Sequence, residues 1–140
     1  MEWNYMIRFE QFSRHLETLK KAPDEDLQNE FIISGIIDKF FIQFELGWKV
    51  LKELLIYEGR SEGRTGSPRE IIKAAYACFD FMDETLWLEM LQERNNTSHM
   101  YNEEAARELV DHILNRYIAE FDRMNNSIIE EYGNMEGQDK

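Results

Sequence analysis

A single apolar stripe of helical period runs through the middle of the chain. Its large apolar residues recur at steps of three or four: Ile33, Ile37, Phe40, Phe44, Trp48, Leu51 and Leu55. Such steps place side chains on one face of an α-helix, so we predict a helix from about Leu27 to Tyr57. Ile32, Ile36, Phe41 and Leu54 lie off this stripe. The helix is therefore apolar over much of its circumference, which predicts a central position or a partner on its second face.

The segments that flank this helix also follow a helical pattern. Apolar residues recur at steps of three and four from Phe9 to Leu19, and Pro23 predicts the stop of that first helix. After the central helix, residues Gly59 to Gly66 include three glycines and no apolar side chain. That composition predicts an exposed loop.

Polar capping residues predict where the later helices begin. Residues Ser67 to Glu70 read as a capping box with proline in the first turn, and this helix should run to about Cys78. Asp83 and Asn102 are suited to cap the next two helices, and Gly133 should end the last one. We therefore predict an all-α, antiparallel, up-and-down bundle of about five helices, three long and two short.

Length and charge limit the possible classes of protein. The 140 residues suit one domain, which we place at residues 1–132, followed by a flexible acidic tail at residues 133–140. The net charge of −12 disfavours tight, non-specific nucleic-acid binding. Only the stretch from Gly47 to Lys73, with six basic residues and four glutamates, has a local excess of +2. If the protein binds a phosphate chain, the contact should lie near this stretch; the alternative is that Arg60 and Arg64 are only solvated residues of a loop.

No sequence pattern indicates a metal, a cofactor or a membrane segment. Cys78 is the only cysteine, and the three histidines lack the spacing of metal ligands. Gly66-Ser67 is not followed by Asp-x-Asp, so the chain is not itself a nucleotidyltransferase. We see neither a signal peptide nor an apolar stretch that could cross a bilayer. These observations predict a cytoplasmic protein without metal or cofactor.

The segment around Arg94 and His99 is the strongest candidate for chemistry. Arg94 lies where the apolar stripe of its helix, which includes Trp87, would place an inward residue. The short polar residues from Asn95 to Ser98 can break that helix and let Arg94 and His99 converge. An imidazole for proton transfer and a guanidinium for phosphate charge would suit phosphodiester cleavage. The alternative is structural, in which Arg94 pairs with a glutamate such as Glu45 and His99 caps a helix end.

Four segments together resemble the HEPN-type nucleotidyltransferase substrate-binding family, which includes HepT-like toxins. They lie in the expected order within roughly Ile7 to Met124: Phe44 to Lys52, Ser67 to Glu70, Trp87 to Met90, and Arg94 to Tyr101. One departure concerns the central helix, where family members often carry glutamate after an aromatic residue. This chain has Phe41 after Phe40, so Glu45 becomes the candidate partner of Arg94.

The resemblance implies a helical bundle that forms a homodimer, with the two Arg-x4-His motifs facing a shared cleft. It also implies a separately encoded minimal nucleotidyltransferase as partner. In toxin members the positions of Arg94 and His99 are assigned to metal-independent RNA cleavage. The position of Tyr101 receives adenylyl groups from the partner, which silences the toxin. By the same resemblance, supporting positions around this motif are Glu45, Lys49, Asn95 and Ser98.

Three functions therefore compete. The intact Arg94, His99 and Tyr101 favour an RNA-cleaving toxin subunit that a nucleotidyltransferase antitoxin neutralises. A non-catalytic substrate-binding subunit of a two-component nucleotidyltransferase would use the same cleft to hold an acceptor. A plain helical interaction module is the third. The net charge of −12 favours the second and third, because an RNA nuclease gains from a basic cleft.

Overall fold

The long helix predicted from the apolar stripe lies at the centre of an all-helical bundle. A computed structural model describes the backbone of residues 2–138 and the side chains of residues 7–133. Within these residues there is no strand. The α-helices are α1 Glu2–Leu19, α2 Glu30–Tyr57, α3 Glu62–Thr65, α4 Pro68–Cys78, α5 Glu84–Asn95, α6 Glu103–His112 and α7 Ile118–Gln138. A π-helical turn, Ile113–Tyr117, joins α6 to α7, and Ala22–Asp24 and Ser98–Met100 are 3₁₀ turns.

Side-chain caps begin the helices where the sequence predicts them. Asn29 accepts a hydrogen bond from the Phe31 amide at the start of α2. Ser67 and Glu70 form both hydrogen bonds of the capping box at the start of α4. Asp83 and Asn102 cap α5 and α6 in the same way, each accepting from a backbone amide three residues on. Each cap satisfies amide groups that a helix leaves unpaired in its first turn.

Long-range polar contacts fix the directions of the helices. His15 Nδ1 lies 2.6 Å from Gln43 Oε1, and Arg8 pairs with Glu53 at 3.4 Å, so α1 and α2 run antiparallel. Gln43 is fully buried, and its amide group is satisfied because it also donates to the carbonyl of Phe12. The helix α1 runs antiparallel to α7 as well, with Ser13 donating to Asn125 at 2.5 Å. The all-α bundle predicted from the sequence is confirmed.

A glycine lets three helices approach closely at the centre of the bundle. A Cβ atom on Gly47 would lie 2.8 Å from the Trp87 ring and 3.1 Å from the Phe12 ring. Trp87 of α5 and Phe12 of α1 are both fully buried, and both pack on Phe121 of α7. Gly47 therefore sets the distance between α1, α2 and α5, and with it the position of the neighbouring residues of α2.

The second apolar face of α2 is covered within the chain itself. Ile36 and Leu54, which lie off the predicted stripe, are buried in the core, whereas Ile32 and Phe41 are half-buried. Five other helices, α1, α3, α4, α5 and α6, contact α2. The wide apolar surface of α2 is therefore explained better by its central position in the bundle than by a surface for a partner. Although α2 is long and apolar, no helix within residues 2–138 has the combination of length and hydropathy required of a membrane span.

The structure has seven α-helices within residues 2–138 instead of about five, and three details differ from the sequence prediction. The glycine-rich segment after α2 is not only an exposed loop, because it contains the one-turn helix α3, in which Gly63 is buried. The last helix continues past Gly133 to Gln138. The π-helical turn that precedes this helix was not predicted. The side chains of residues 134–140 lie outside the described residues, so the flexible acidic tail stays a prediction.

Candidate functional site

The segment from Arg94 to Tyr101 leaves α5 through a polar turn. Asn95 is the last residue of α5, and the side chain of Asn96 accepts from the Ser98 amide at 3.0 Å and the Ser98 hydroxyl at 2.7 Å. This local bonding gives the backbone an alternative to continuing the helix. A 3₁₀ turn follows at Ser98–Met100, and α6 begins after Tyr101 and Asn102. The break predicted between Arg94 and His99 is therefore present.

The imidazole of His99 is held in one orientation. Its Nδ1 lies 3.0 Å from the backbone carbonyl oxygen of Asn96, and its ring centroid lies 5.2 Å from that of Phe41. A carbonyl oxygen can only accept, so Nδ1 carries the hydrogen in this contact. Nε2 has no hydrogen-bond partner among the side chains and backbone that the structure describes. The half-exposed ring therefore presents a free nitrogen that can accept a proton.

The guanidinium of Arg94 pairs with Glu45 of α2. Arg94 Nη2 lies 2.8 Å from Glu45 Oε2, and both side chains are about one-third exposed. The pair meets the distance of a salt bridge, but the N–H groups do not have hydrogen-bond geometry, so Oε2 accepts no hydrogen bond from the described residues. The other carboxylate oxygen, Oε1, accepts from Trp48 Nε1 at 3.1 Å. Glu45 therefore neutralises Arg94, which forms no other salt bridge or hydrogen bond with the described residues.

Arg94 and His99 are brought together along one face of α2. Phe41, which contacts His99, and Glu45, which pairs with Arg94, are four residues apart and so are neighbours on the helix surface. The two side chains nevertheless open into different grooves. Arg94 lines one with Ser67 and other residues of α4, and His99 lines another with residues of α2 and α6. The structure therefore combines the Arg94–Glu45 pair with a His99 that contacts α2 one helical turn away.

The remaining predicted site residues lie at different distances from this pair. Tyr101 is 81% exposed and lines the same groove as His99, so its hydroxyl is at the surface. Asn95 is exposed beside Arg94, and Ser98 bonds to the Asn96 side chain rather than to His99. Lys49 is half-buried and lines a separate groove next to Trp48. The roles assigned to these residues stay predictions.

A second polar cluster, which no sequence pattern indicated, lies between α5 and the π-helical turn. His112 Nδ1 lies 2.7 Å from Glu93 Oε2, and the Tyr117 hydroxyl lies 2.8 Å from Glu89 and 3.1 Å from Glu93. Burial and these carboxylates raise the pKa of Tyr117. Glu89 also pairs with Arg116. The four-residue step from Glu89 to Glu93 was visible in the sequence, but nothing there showed that α6 and α7 would face it.

The same cluster contains residue types that can ligate a metal. The ligand atoms of Glu89, Glu93 and His112 all lie within 4.8 Å of one another. However, Arg116, Tyr117 and His112 already neutralise or bond the carboxylates. A metal would have to displace the guanidinium and compete with the phenol. We therefore interpret the cluster as a structural link that joins α5 to the end of α6 and the π-helical turn.

Comparison with known proteins agrees with the order of the motifs. The family model described as "Nucleotidyltransferase substrate binding protein like" matches residues 7–130. No curated protein matches the chain. The matched range includes the central helix, the capping box of α4 and the whole segment from Arg94 to Tyr101. With nearly the full length of the described bundle inside the match, the chain belongs to the nucleotidyltransferase substrate-binding protein-like family.

Proposed function

We propose that the protein is a cytoplasmic RNA-cleaving toxin subunit in which Arg94 and His99 perform the chemistry. The observation that carries this proposal is that an imidazole with a free nitrogen and a fixed guanidinium contact neighbouring positions on one face of α2. His99 Nε2 has no hydrogen-bond partner within the described part of the chain, since Nδ1 is bonded to Asn96, and Arg94 is held by Glu45 at 2.8 Å. A proton acceptor next to a fixed cation is the minimum that phosphodiester cleavage without a metal requires.

The proposed reaction needs only the substrate and these side chains. Nε2 of His99 takes the proton of an RNA 2′-hydroxyl, and that oxygen attacks the adjacent phosphorus. The bond from phosphorus to the 5′-oxygen breaks, which leaves a 2′,3′-cyclic phosphate. The 5′-oxygen takes a proton from the imidazolium of His99 in a second copy of the chain. Arg94 stabilises the negative charge that develops on the phosphate oxygens.

A homodimer and a nucleotidyltransferase partner complete this proposal. A dimer would place two copies of the Arg94–His99 pair in one cleft, so that one imidazole acts as base and the other as acid. The partner would transfer adenylyl groups to Tyr101, whose exposed hydroxyl shares a groove with His99. The added phosphate would then be attracted to Arg94 and block the cleft. The family membership supports this kind of partner.

A second candidate function rests on the salt bridge itself. Glu45 already neutralises Arg94 at 2.8 Å, and the chain carries a net charge of −12. Both features weaken attraction for a polyanion. In that case the protein would be a non-catalytic subunit that binds the acceptor of a two-component nucleotidyltransferase, and the grooves at Arg94 and His99 would be binding surfaces only.

Cleavage of labelled RNA separates the two functions. We expect His99→Ala and Arg94→Ala each to lower the cleavage rate about 10²–10⁴-fold, because each removes a group that acts in the transition state. Arg14→Ala removes an exposed arginine on α1 and is the matched control, with cleavage at the parent rate. Circular dichroism checks that each variant keeps its helices. A folded His99→Ala protein that cleaves as fast as the parent would refute catalysis and favour the binding subunit.

A further inference from the structure

A groove between α1 and α2 is unlike the rest of this acidic protein. It has a volume of 590 Å³ and is lined by Arg8 of α1 and by Trp48, Lys49, Lys52 and Glu53 of α2, among others. Three of its seven lining residues are cations and one is acidic, whereas the whole chain has 16 basic and 28 acidic residues. Neither the family match nor the proposed reaction assigns a role to this groove.

Within the described residues, neither lysine of the groove forms a salt bridge. Glu53 is the one acidic residue that lines the groove, and it pairs with Arg8 at 3.4 Å. Lys49 and Lys52 are half-buried and form no salt bridge or hydrogen bond with any described side chain. They are three residues apart on a helix, so their charges repel each other. In a chain with so many carboxylates, two adjacent unpaired lysines are a site for an external anion.

The aromatic ring beside these lysines has a fixed position. Trp48 Nε1 donates to Glu45 Oε1 at 3.1 Å, and Glu45 holds Arg94 through its other oxygen. The indole is half-buried and is one of the residues that line the groove. A chain of direct contacts therefore leads from the groove, through Trp48 and Glu45, to Arg94.

We propose that this groove binds single-stranded RNA, with two successive phosphates on Lys49 and Lys52 and a base stacked on Trp48. A cationic groove that includes an aromatic platform is typical of proteins that bind single strands. The identity of the polymer rests on the proposed function, since Trp48 is linked to Arg94 through Glu45. An acidic peptide would also match the lysines, but it would make no use of the indole. The groove would hold the strand that Arg94 and His99 cleave.

Binding of a fluorescein-labelled single-stranded RNA, followed by fluorescence anisotropy, tests the groove apart from cleavage. All proteins carry His99→Ala so that the RNA stays intact. We expect Lys49→Gln/Lys52→Gln to weaken binding at least about tenfold, and to reduce the slope of log K against log salt by about 1.4, since each lost contact with a single strand accounts for about 0.7. Lys21→Gln/Lys39→Gln is the matched control, because it removes the same charge from lysines that line a different groove.

The indole is tested in the same assay. Trp48→Phe keeps an aromatic face and should bind RNA like the parent, whereas Trp48→Ala should bind about tenfold more weakly. If the control lysine pair weakens binding as much as the groove pair, or if the salt slope is unchanged, the groove proposal is wrong. Displacement of the RNA by polyglutamate at equal charge concentration would also overturn it. RNA binding that depends on the groove lysines, in a parent protein that cleaves nothing, would keep the groove and reject the cleavage function.

Discussion

Glu120 is the most deeply buried carboxylate among the described residues. It is 4% exposed and accepts hydrogen bonds from Trp87 Nε1 at 3.1 Å and from the Asp83 amide at 3.3 Å. Arg123, one turn further along α7, donates to both of its oxygens. Burial raises the pKa of Glu120, and the hydrogen bonds from Arg123 oppose that effect. The carboxylate thus ties the start of α5 to α7 at the cost of desolvating a charge.

Two substitutions of Glu120 distinguish the contribution of its hydrogen bonds to stability from that of its charge. Glu120→Ala should lower the free energy of unfolding by about 3 kcal/mol, because Trp87 and Arg123 lose their acceptor. Glu120→Gln should cost less, since its carbonyl can still accept from the indole. A raised pKa means that the folded state binds more protons, so the contribution of Glu120 should decrease as pH rises above about 4.5. Urea unfolding at several pH values should therefore show the parent losing stability relative to Glu120→Gln as pH increases.

Tyr101 makes the regulatory part of the proposal testable. A phenol is neutral at pH 7 and is a poor nucleophile until an enzyme activates it. Incubation with ATP, magnesium and a nucleotidyltransferase encoded next to this gene should therefore add one or more adenylyl masses to the peptide that contains Tyr101. Tyr101→Phe should block the addition and keep full RNA cleavage, and Tyr76→Phe, which changes another exposed tyrosine, should not block it. An adduct that persists in Tyr101→Phe would reject this switch.

At the scale of the helices, two glycines of α2 offer a matched comparison. Alanine is favoured over glycine inside a helix by about 1 kcal/mol. A Cβ atom at Gly35 meets nothing within 4 Å, so Gly35→Ala should stabilise the protein by about that amount. At Gly47 the new atom would lie 2.8 Å from the buried Trp87 ring, so Gly47→Ala should lower stability by about 1–3 kcal/mol. Equal effects on urea unfolding would show that Gly47 does not set the helix spacing.

Helix starts could be predicted from the sequence because their signals are local. Ser67, Asp83 and Asn102 bond to amide groups three residues away, and those contacts need nothing from the rest of the fold. The end of α7 could not be predicted in this way. A glycine stops a helix when it adopts a positive φ, and among the described residues only Gly59 does so. Gly133 stays helical, and so does Gly137.

The contacts of the candidate site were only partly predictable. A structural pairing of Arg94 with Glu45 was one of two alternatives from the sequence, and that pair is present. The contact of His99 with Phe41 and the cluster at Glu89 were not foreseen. Both depend on how α2, α5 and α7 cross, which is a property of packing between distant segments. Helical periodicity gives the buried face of one helix, but not its neighbours.

For the molecule as a whole, the distribution of exposed apolar side chains bears on association. The width of α2 no longer argues for a dimer, since Ile36 and Leu54 are buried within one chain. A different surface, beside the groove that contains His99, does argue for a dimer. Phe31 is 81% exposed and Met100 is 73% exposed, and both line the groove that contains His99 and Tyr101. Large apolar side chains grouped beside a functional groove are typical of a surface that another protein covers.

We therefore expect a homodimer through this surface, which we call the His99 face and define by Phe31, His99, Met100 and Tyr101. Light scattering at micromolar concentration should give twice the 16.8 kDa mass of the chain. Phe31→Lys/Met100→Lys should shift it to the monomer mass with the helical circular dichroism unchanged, and Ile129→Lys, on the exposed side of α7, should not. Because the proposed reaction uses one imidazole from each copy, the monomeric variant should also lose RNA cleavage. A parent protein that scatters as a monomer would exclude this dimer, and a monomeric variant that still cleaves at the parent rate would exclude the two-copy mechanism.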